Sequence, residues 1–416
     1  MEGEAKPNLV DRDVLYNFEQ ERELLMMISC YKVSKSSKLN HFLSLSYVSI
    51  VWLFVLFELC MGLYSVVLTI DSPKTQLLET LHTVVLTFYV IAHMTNRLQS
   101  GFDAALEIIN KGFYTYDENM GETHYEIRKE YVRRIRLVNK WFRIIIIYSG
   151  ISFLMFNTAK KYLENVYKTE PSKIPINPYF PIPYFMPFDT STVVTFTSAY
   201  LLNVALEFFI CSVTICIDEI YVSLIEQLKA QFVILNLSIS NIVERALRRY
   251  QDGKAGSVPN VEELYQQKEF QDCVLQCLKE NIRHHHALLR FTALIRNYVQ
   301  RTFFLVVITG GLALALAVLV ITKSKLTDQE LLGVGTFLMM LLTELVFILQ
   351  FCLYGEEISN ESGKLFISLW STPWWNFDKR VKLVLSIMML NTKKPIIFKT
   401  SFLNVSSSLE SFSNDN

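Results

Sequence analysis

Apolar residues in this chain are gathered into blocks of about twenty, and that grouping decides what it can fold into. Six stretches qualify, at 42–68, 77–96, 144–163, 192–217, 302–321 and 331–354. Apolar residues make up 51% of the chain and charged residues 19%, the latter concentrated between the blocks. In hydrocarbon every backbone N–H and C=O must be satisfied within its own segment, so each block is predicted to be a membrane-spanning helix. The expected fold is all-α, a polytopic membrane helix bundle. An N-terminal arm (1–41) precedes the bundle (42–354), followed by a region too interrupted by charge to span a bilayer (355–395) and a polar tail (396–416).

Charge gives the orientation. Of the 40 Lys and Arg residues, 33 fall in the arm, the loops after spans two and four, and the C-terminal region; 7 fall in the other loops. Basic residues are retained on the cytoplasmic side, so the N-terminus is predicted to be cytoplasmic. The arm lacks a short apolar core with a small-residue cleavage site, so no signal peptide is expected. None of the seven cysteines lies in a predicted outer loop, and no disulfide is expected. Asn236, Asn360 and Asn404 begin glycosylation sequons on the predicted inner side and should be unmodified.

Between spans four and five, 217–250 and 261–301 read as amphipathic helices around the turn QDGKAGSVPN, giving cytoplasmic helical extensions at 217–301. The outer loop before span four holds six prolines between Pro171 and Pro187. Proline removes a backbone donor and fixes φ, so this loop should form a stiff, aromatic-rich cover.

Enzyme motifs are absent: there is no phosphate-binding glycine loop, no His-Glu-x-x-His, no Gly-x-Ser-x-Gly and no Cys-x-x-Cys. Consecutive His284, His285 and His286 fan out by about 100° each on a helix and cannot converge on one metal. No cofactor, metal or nucleic-acid partner is expected. Glu58, Glu207 and Glu344 fall inside spans, where a charge is costly. They read either as structural partners of Ser, Thr or Asn, or as an ion pathway, which keeps a proton- or ion-coupled secondary transporter as an alternative.

The C-terminal region carries FCLYGEEISNES, LWSTPWW, Arg380 and Lys394-Pro395 in that order. This series resembles the signature of insect odorant receptors, with matching positions Tyr354, Gly355, Glu356, Ser362, Trp374, Arg380, Lys394 and Pro395. Pro187-Phe188-Asp189 before span four is similar to that family too, as is a histidine helix, where His285 is the best match. The resemblance implies a ligand-gated cation channel subunit in the plasma membrane of olfactory neuron dendrites, working with an odorant co-receptor and without a G protein. It also implies that residues 355–395 form the cytoplasmic half of a seventh helix that anchors subunits. Arg380 is close enough in sequence to Glu356-Glu357 to pair with them after a turn, and Trp374 is expected to pack as a buried aromatic. The tail 396–416 is too short and polar to supply the membrane half, so a truncated, inactive isoform is one expectation. TELVFILQF (343–351) resembles a gustatory receptor signature, the other alternative within the superfamily.

A volatile ligand would need a mainly apolar cavity with one or two hydrogen-bonding groups. In the outer half of the bundle the candidates are His82, Val85 and Leu86, Ser152, Phe153 and Phe156, Phe196 and Tyr200, and Phe337 and Met340.

Overall fold

Each predicted apolar block lies within a helix of the computed structural model, which describes residues 38–71, 74–97, 102–111, 113–116, 122–166, 176–177, 179–182, 184–252, 261–323 and 328–399. The order is α1 (Lys38–Thr69), α2 (Lys74–Arg97), α3 (Phe102–Asn110), α4 (Glu122–Val166), α5 (Val193–Ser240), α6 (Ile242–Asp252), α7 (Val261–Leu264), α8 (Lys268–Lys323), α9 (Asp328–Trp370) and α10 (Lys379–Thr392). Among the described residues α1, α2, α4, α5 and α8 are long and apolar enough to cross a membrane. The sixth predicted span, 331–354, forms part of α9. The arm up to residue 37, most of the QDGKAGSVPN turn, Cys30, Asn404 and the tail beyond residue 399 lie outside the described residues. No disulfide joins the other six cysteines to one another.

The long helices explain the shape of the bundle. With 48 and 56 residues, α5 and α8 extend about 72 and 84 Å at 1.5 Å per residue. A bilayer core is about 30 Å thick, so both helices continue far beyond it, on the side that the basic residues assign to the cytoplasm. The expected extensions are continuous with their spans as far as Ser240 and from Lys268 onward, whereas 242–252 and 261–264 form the separate helices α6 and α7. Helix α9 packs against α4, α5 and α8, α2 lies along α8, and α1 packs on α2. Large apolar side chains such as Leu53, Ile147, Met155 and Leu201 stay exposed on the outside of the spans, as lipid-facing positions require.

The proline-rich loop does form a cover. Phe180, Ile182 and Tyr184 are fully buried. The Phe185 amide donates to Ser65 Oγ on α1 at 2.7 Å, and the Tyr184 hydroxyl lies 3.3 Å from Thr87 Oγ1 on α2. Asp189 explains the Pro-Phe-Asp triplet: its carboxylate accepts from the Ser191 amide and hydroxyl at 3.0 and 2.6 Å, holding the chain for the Thr192 N-cap of α5.

Beyond the membrane, a buried ion pair fastens α6 to α8. Arg245 Nη2 donates to Glu280 Oε2 at 2.5 Å, and Arg245 Nη1 reaches Ser238 Oγ and Asn281 Oδ1. A second cluster joins α4, α5 and α9: Arg134 contacts Glu226 at 3.3 Å and Glu357 at 3.1 Å, and Lys229 also donates to Glu357. Glu357 is thus held from the side, not by Arg380. Arg380 instead pairs with Asp378 and, at 2.9 Å, with Asp272 of α8. The sequence expectation failed here because Glu356 and Glu357 stand 13–14 residues before the end of α9, about 20 Å up that helix from the turn that carries Arg380.

Candidate functional site

Five helices leave a cavity of about 70 Å³ toward the middle of the apolar stretches, room for on the order of five waters. Leu86 and Tyr89 come from α2, and Ile146, Ser149 and Gly150 from α4. Helix α5 adds Glu207, Ile210, Cys211 and Thr214, α8 adds Val306, Thr309 and Gly310, and α9 adds Thr343, Glu344 and Phe347. Phe347 stacks on Phe142 with ring centroids 5.6 Å apart, closing the inner end.

Two glycines make room for two carboxylates. A Cβ on Gly150 would stand 2.6 Å from Cys211 Sγ and 3.3 Å from Glu207 Oε1. A Cβ on Gly310 would lie 3.3 Å from Glu344 Oε2. Each glutamate therefore packs over a glycine of the adjacent helix. Neither has a basic partner among the described residues; the Cys211 thiol, a weak donor, lies 3.6 Å from Glu207 Oε1.

Three of the hydroxyls around the cavity face their own helices, while Ser149 Oγ of α4 lies 3.4 Å from Thr343 Oγ1 of α9. Thr214, Thr309 and Thr343 donate to the carbonyls of Ile210, Leu305 and Met339 at 2.9, 2.6 and 2.9 Å. Their free lone pairs are what remains for a ligand. Tyr89, 5% exposed, has a hydroxyl without a hydrogen-bond partner among the described residues; Thr214 lies beside it without completing a bond.

Of the outer-half candidates, Leu86 lines this cavity. His82, Val85, Ser152, Phe153, Phe156, Phe196 and Tyr200 lie further out along the same helices and do not line it. Phe196 stacks on Phe180 of the cover and on Tyr200, whose hydroxyl lies 3.1 Å from Thr158 Oγ1. His82 and Phe153 are buried and Phe156 faces outward. The side chains of Phe337 and Met340 lie outside the described residues. Tyr89, Gly150, Glu207 and Glu344 line the cavity and are not among the outer-half candidates, although both glutamates stand out in the sequence as intramembrane charges.

The motif residues of the C-terminal region meet one another. Tyr354 and Gly355 are buried in α9 and Glu356 is half-buried. Ser362 bonds the chain just after exposed Lys394 and Pro395, and Pro395 packs beside Gly363. Trp374 packs between Trp370 and Trp375 at 5.7 and 6.1 Å and is half-buried rather than buried. Gln271 of α8 clamps the turn that carries it, donating to Asn376 O and accepting from the Asp378 amide. Burial pushes the Asp378 carboxyl up, but its bonds to the Val381 amide and Arg380 outweigh this and hold it below its usual value.

The histidine helix is also more specific than its sequence. His284, fully buried, bridges Tyr116 Oη at 2.7 Å and Gln231 Oε1 at 3.1 Å, whereas His286 is exposed. Because an amide oxygen only accepts, Nε2 carries the proton toward Gln231 and neutral Nδ1 accepts from Tyr116. His284, not the neighbouring His285, is the residue that ties α8 to α5 and to the segment before α4.

Comparison with known proteins agrees with this architecture. The family described as 7tm Odorant receptor matches residues 74–414. Odorant receptor Or1 of Anopheles gambiae is 28% identical over 134 residues, a stretch spanning 32% of this chain and 31% of that relative's length. The insect olfactory receptor OR5 from Machilis hrabei, solved in complex with eugenol, superposes with a TM-score of 0.68 at 12% identity, covering 97% of this chain and 96% of that one. A second structure of the same receptor gives 0.66, with 95% and 93% covered. The chain is a multi-pass membrane protein and belongs to the 7tm odorant receptor family.

Proposed function

We propose that this chain is an odorant receptor subunit that binds a small volatile ligand in the mid-membrane cavity and, with the odorant co-receptor, gates a cation channel in the dendritic plasma membrane of olfactory neurons. The observation that carries the reading is the cavity itself, walled by α2, α4, α5, α8 and α9, so that a bound molecule touches most of the bundle at once. Family membership supports it, as does the shared fold with a receptor solved with eugenol. A ligand shifts gating only as far as it binds one arrangement of those helices better than the other.

The test is ligand-evoked cation current in cells expressing the chain with an insect co-receptor, beside the variant Gly150→Leu. Its new side chain would occupy the gap between Cys211 and Glu207. Current from the native chain and none from a variant that reaches the surface is the expected result. Equal currents would remove the cavity from the proposal, and substrate uptake driven by an ion gradient would favour the transporter.

A further inference from the structure

Resting on that reading, we infer from the cavity wall that the preferred ligand is a small aliphatic amine. The wall is lopsided in its hydrogen bonding. Thr214, Thr309 and Thr343 have committed their protons to helix carbonyls, leaving acceptor lone pairs. Glu207 and Glu344 add carboxyl oxygens from two helices, and no Lys or Arg lines the space. An ester or ketone could accept from a protonated carboxyl or from Tyr89, but it brings no proton for the three threonine oxygens. An ammonium group presents two or three N–H bonds and no lone pair, which is the complement of this wall.

Tyr89 is an independent indication. Its hydroxyl is buried at the cavity with Thr214 beside it and no hydrogen bond completed, and such a group is costly to leave unmet.

Charge balance is satisfied without importing a net charge into the bilayer. The neutral amine, which is the volatile form, enters and takes the carboxyl proton of one glutamate. The glutamate O–H bond breaks, an N–H bond forms, and an ammonium–carboxylate pair remains at zero net charge. The second glutamate stays protonated as a further hydrogen-bonding group. An isolated ammonium at this depth would be expensive, whereas a paired one is compensated.

The experiment compares 3-methylbutan-1-amine with 3-methylbutan-1-ol, which match in size and differ in the polar group. Thermal stabilisation of the purified chain and evoked current are read for the native protein and for Glu207→Gln and Glu344→Gln. The amine should act at about a tenfold lower concentration than the alcohol, and the double variant should bring the two within about twofold. An alcohol as potent as the amine on the native chain overturns the amine assignment and leaves the odorant cavity standing. No stabilisation or current by either ligand, or by a panel of neutral odorants, overturns both. If the variants do not fold, the native comparison alone decides.

Discussion

Ser362 Oγ accepts the backbone amide of Ile396 at 2.9 Å while donating to the carbonyl of Ser359 at 3.0 Å. One hydroxyl thus staples the segment after α10 to the side of α9. This gives a physical meaning to two motif elements separated by more than thirty residues: the serine bonds the chain just after the Lys-Pro pair, whose proline cannot supply that amide. Replacing Ser362 by Ala should cost about 1 kcal/mol and loosen residues 393–399. Limited proteolysis near Lys393 and Lys394 reads this directly; unchanged cleavage would contradict it.

Arg245 and Glu280 are 3% and 2% exposed and bonded at 2.5 Å. Removing one charge strands the other, so Arg245→Ala or Glu280→Ala should cost about 3–5 kcal/mol and sharply reduce the amount of folded receptor. Fluorescence-detected size exclusion measures this. A monodisperse peak of native height for either variant would show that the pair does not hold α6 to α8.

Substitution along the histidine run should separate its members. His284→Ala leaves Gln231 and Tyr116 without their shared partner, at about 1–3 kcal/mol for each group left unmet, whereas exposed His286→Ala should stay within about 0.5 kcal/mol of native. Melting curves of the two variants side by side check the order, and a larger loss at His286 would reverse it.

Gly62 lies where a Cβ would stand 2.8 Å from Tyr184 Oη and 2.9 Å from Val84 Cγ2. Gly62→Val should push the proline-rich cover away from α1 and break the Phe185–Ser65 and Tyr184–Thr87 contacts. Faster hydrogen exchange at residues 180–186 is the expected readout; native protection there would mean that α1 moves instead.

The spans were legible because a block such as 302–321 has one stable answer in hydrocarbon. Rotation of each helix about its axis was not. A helix apolar on nearly every face gives no moment to say whether Ser149 or Ser152 faces inward, and three residues of rotation and rise separate those two. The pairing of Glu207 with Gly150 and of Glu344 with Gly310 comes from helices brought together by the fold, so neither partner announces the other along the chain. Arg380 shows the same gap at the other end. Its proximity in sequence to Glu357 suggested a pair, but a rigid helix kept the two apart while Asp272, more than a hundred residues earlier, arrived beside it.

Helix α5 contributes Glu207, Cys211 and Thr214 to the cavity and, further along, Glu226 and Lys229 to the charged cluster with Arg134 and Glu357. Its 48 residues contain neither glycine nor proline, the usual places where a helix kinks. About 27 Å of uninterrupted rod separates Cys211 from the level of Lys229. A small tilt or screw of α5 at the ligand therefore arrives at those salt bridges as a lever stroke, and the clasp between α4, α5 and α9 must give way or travel with it.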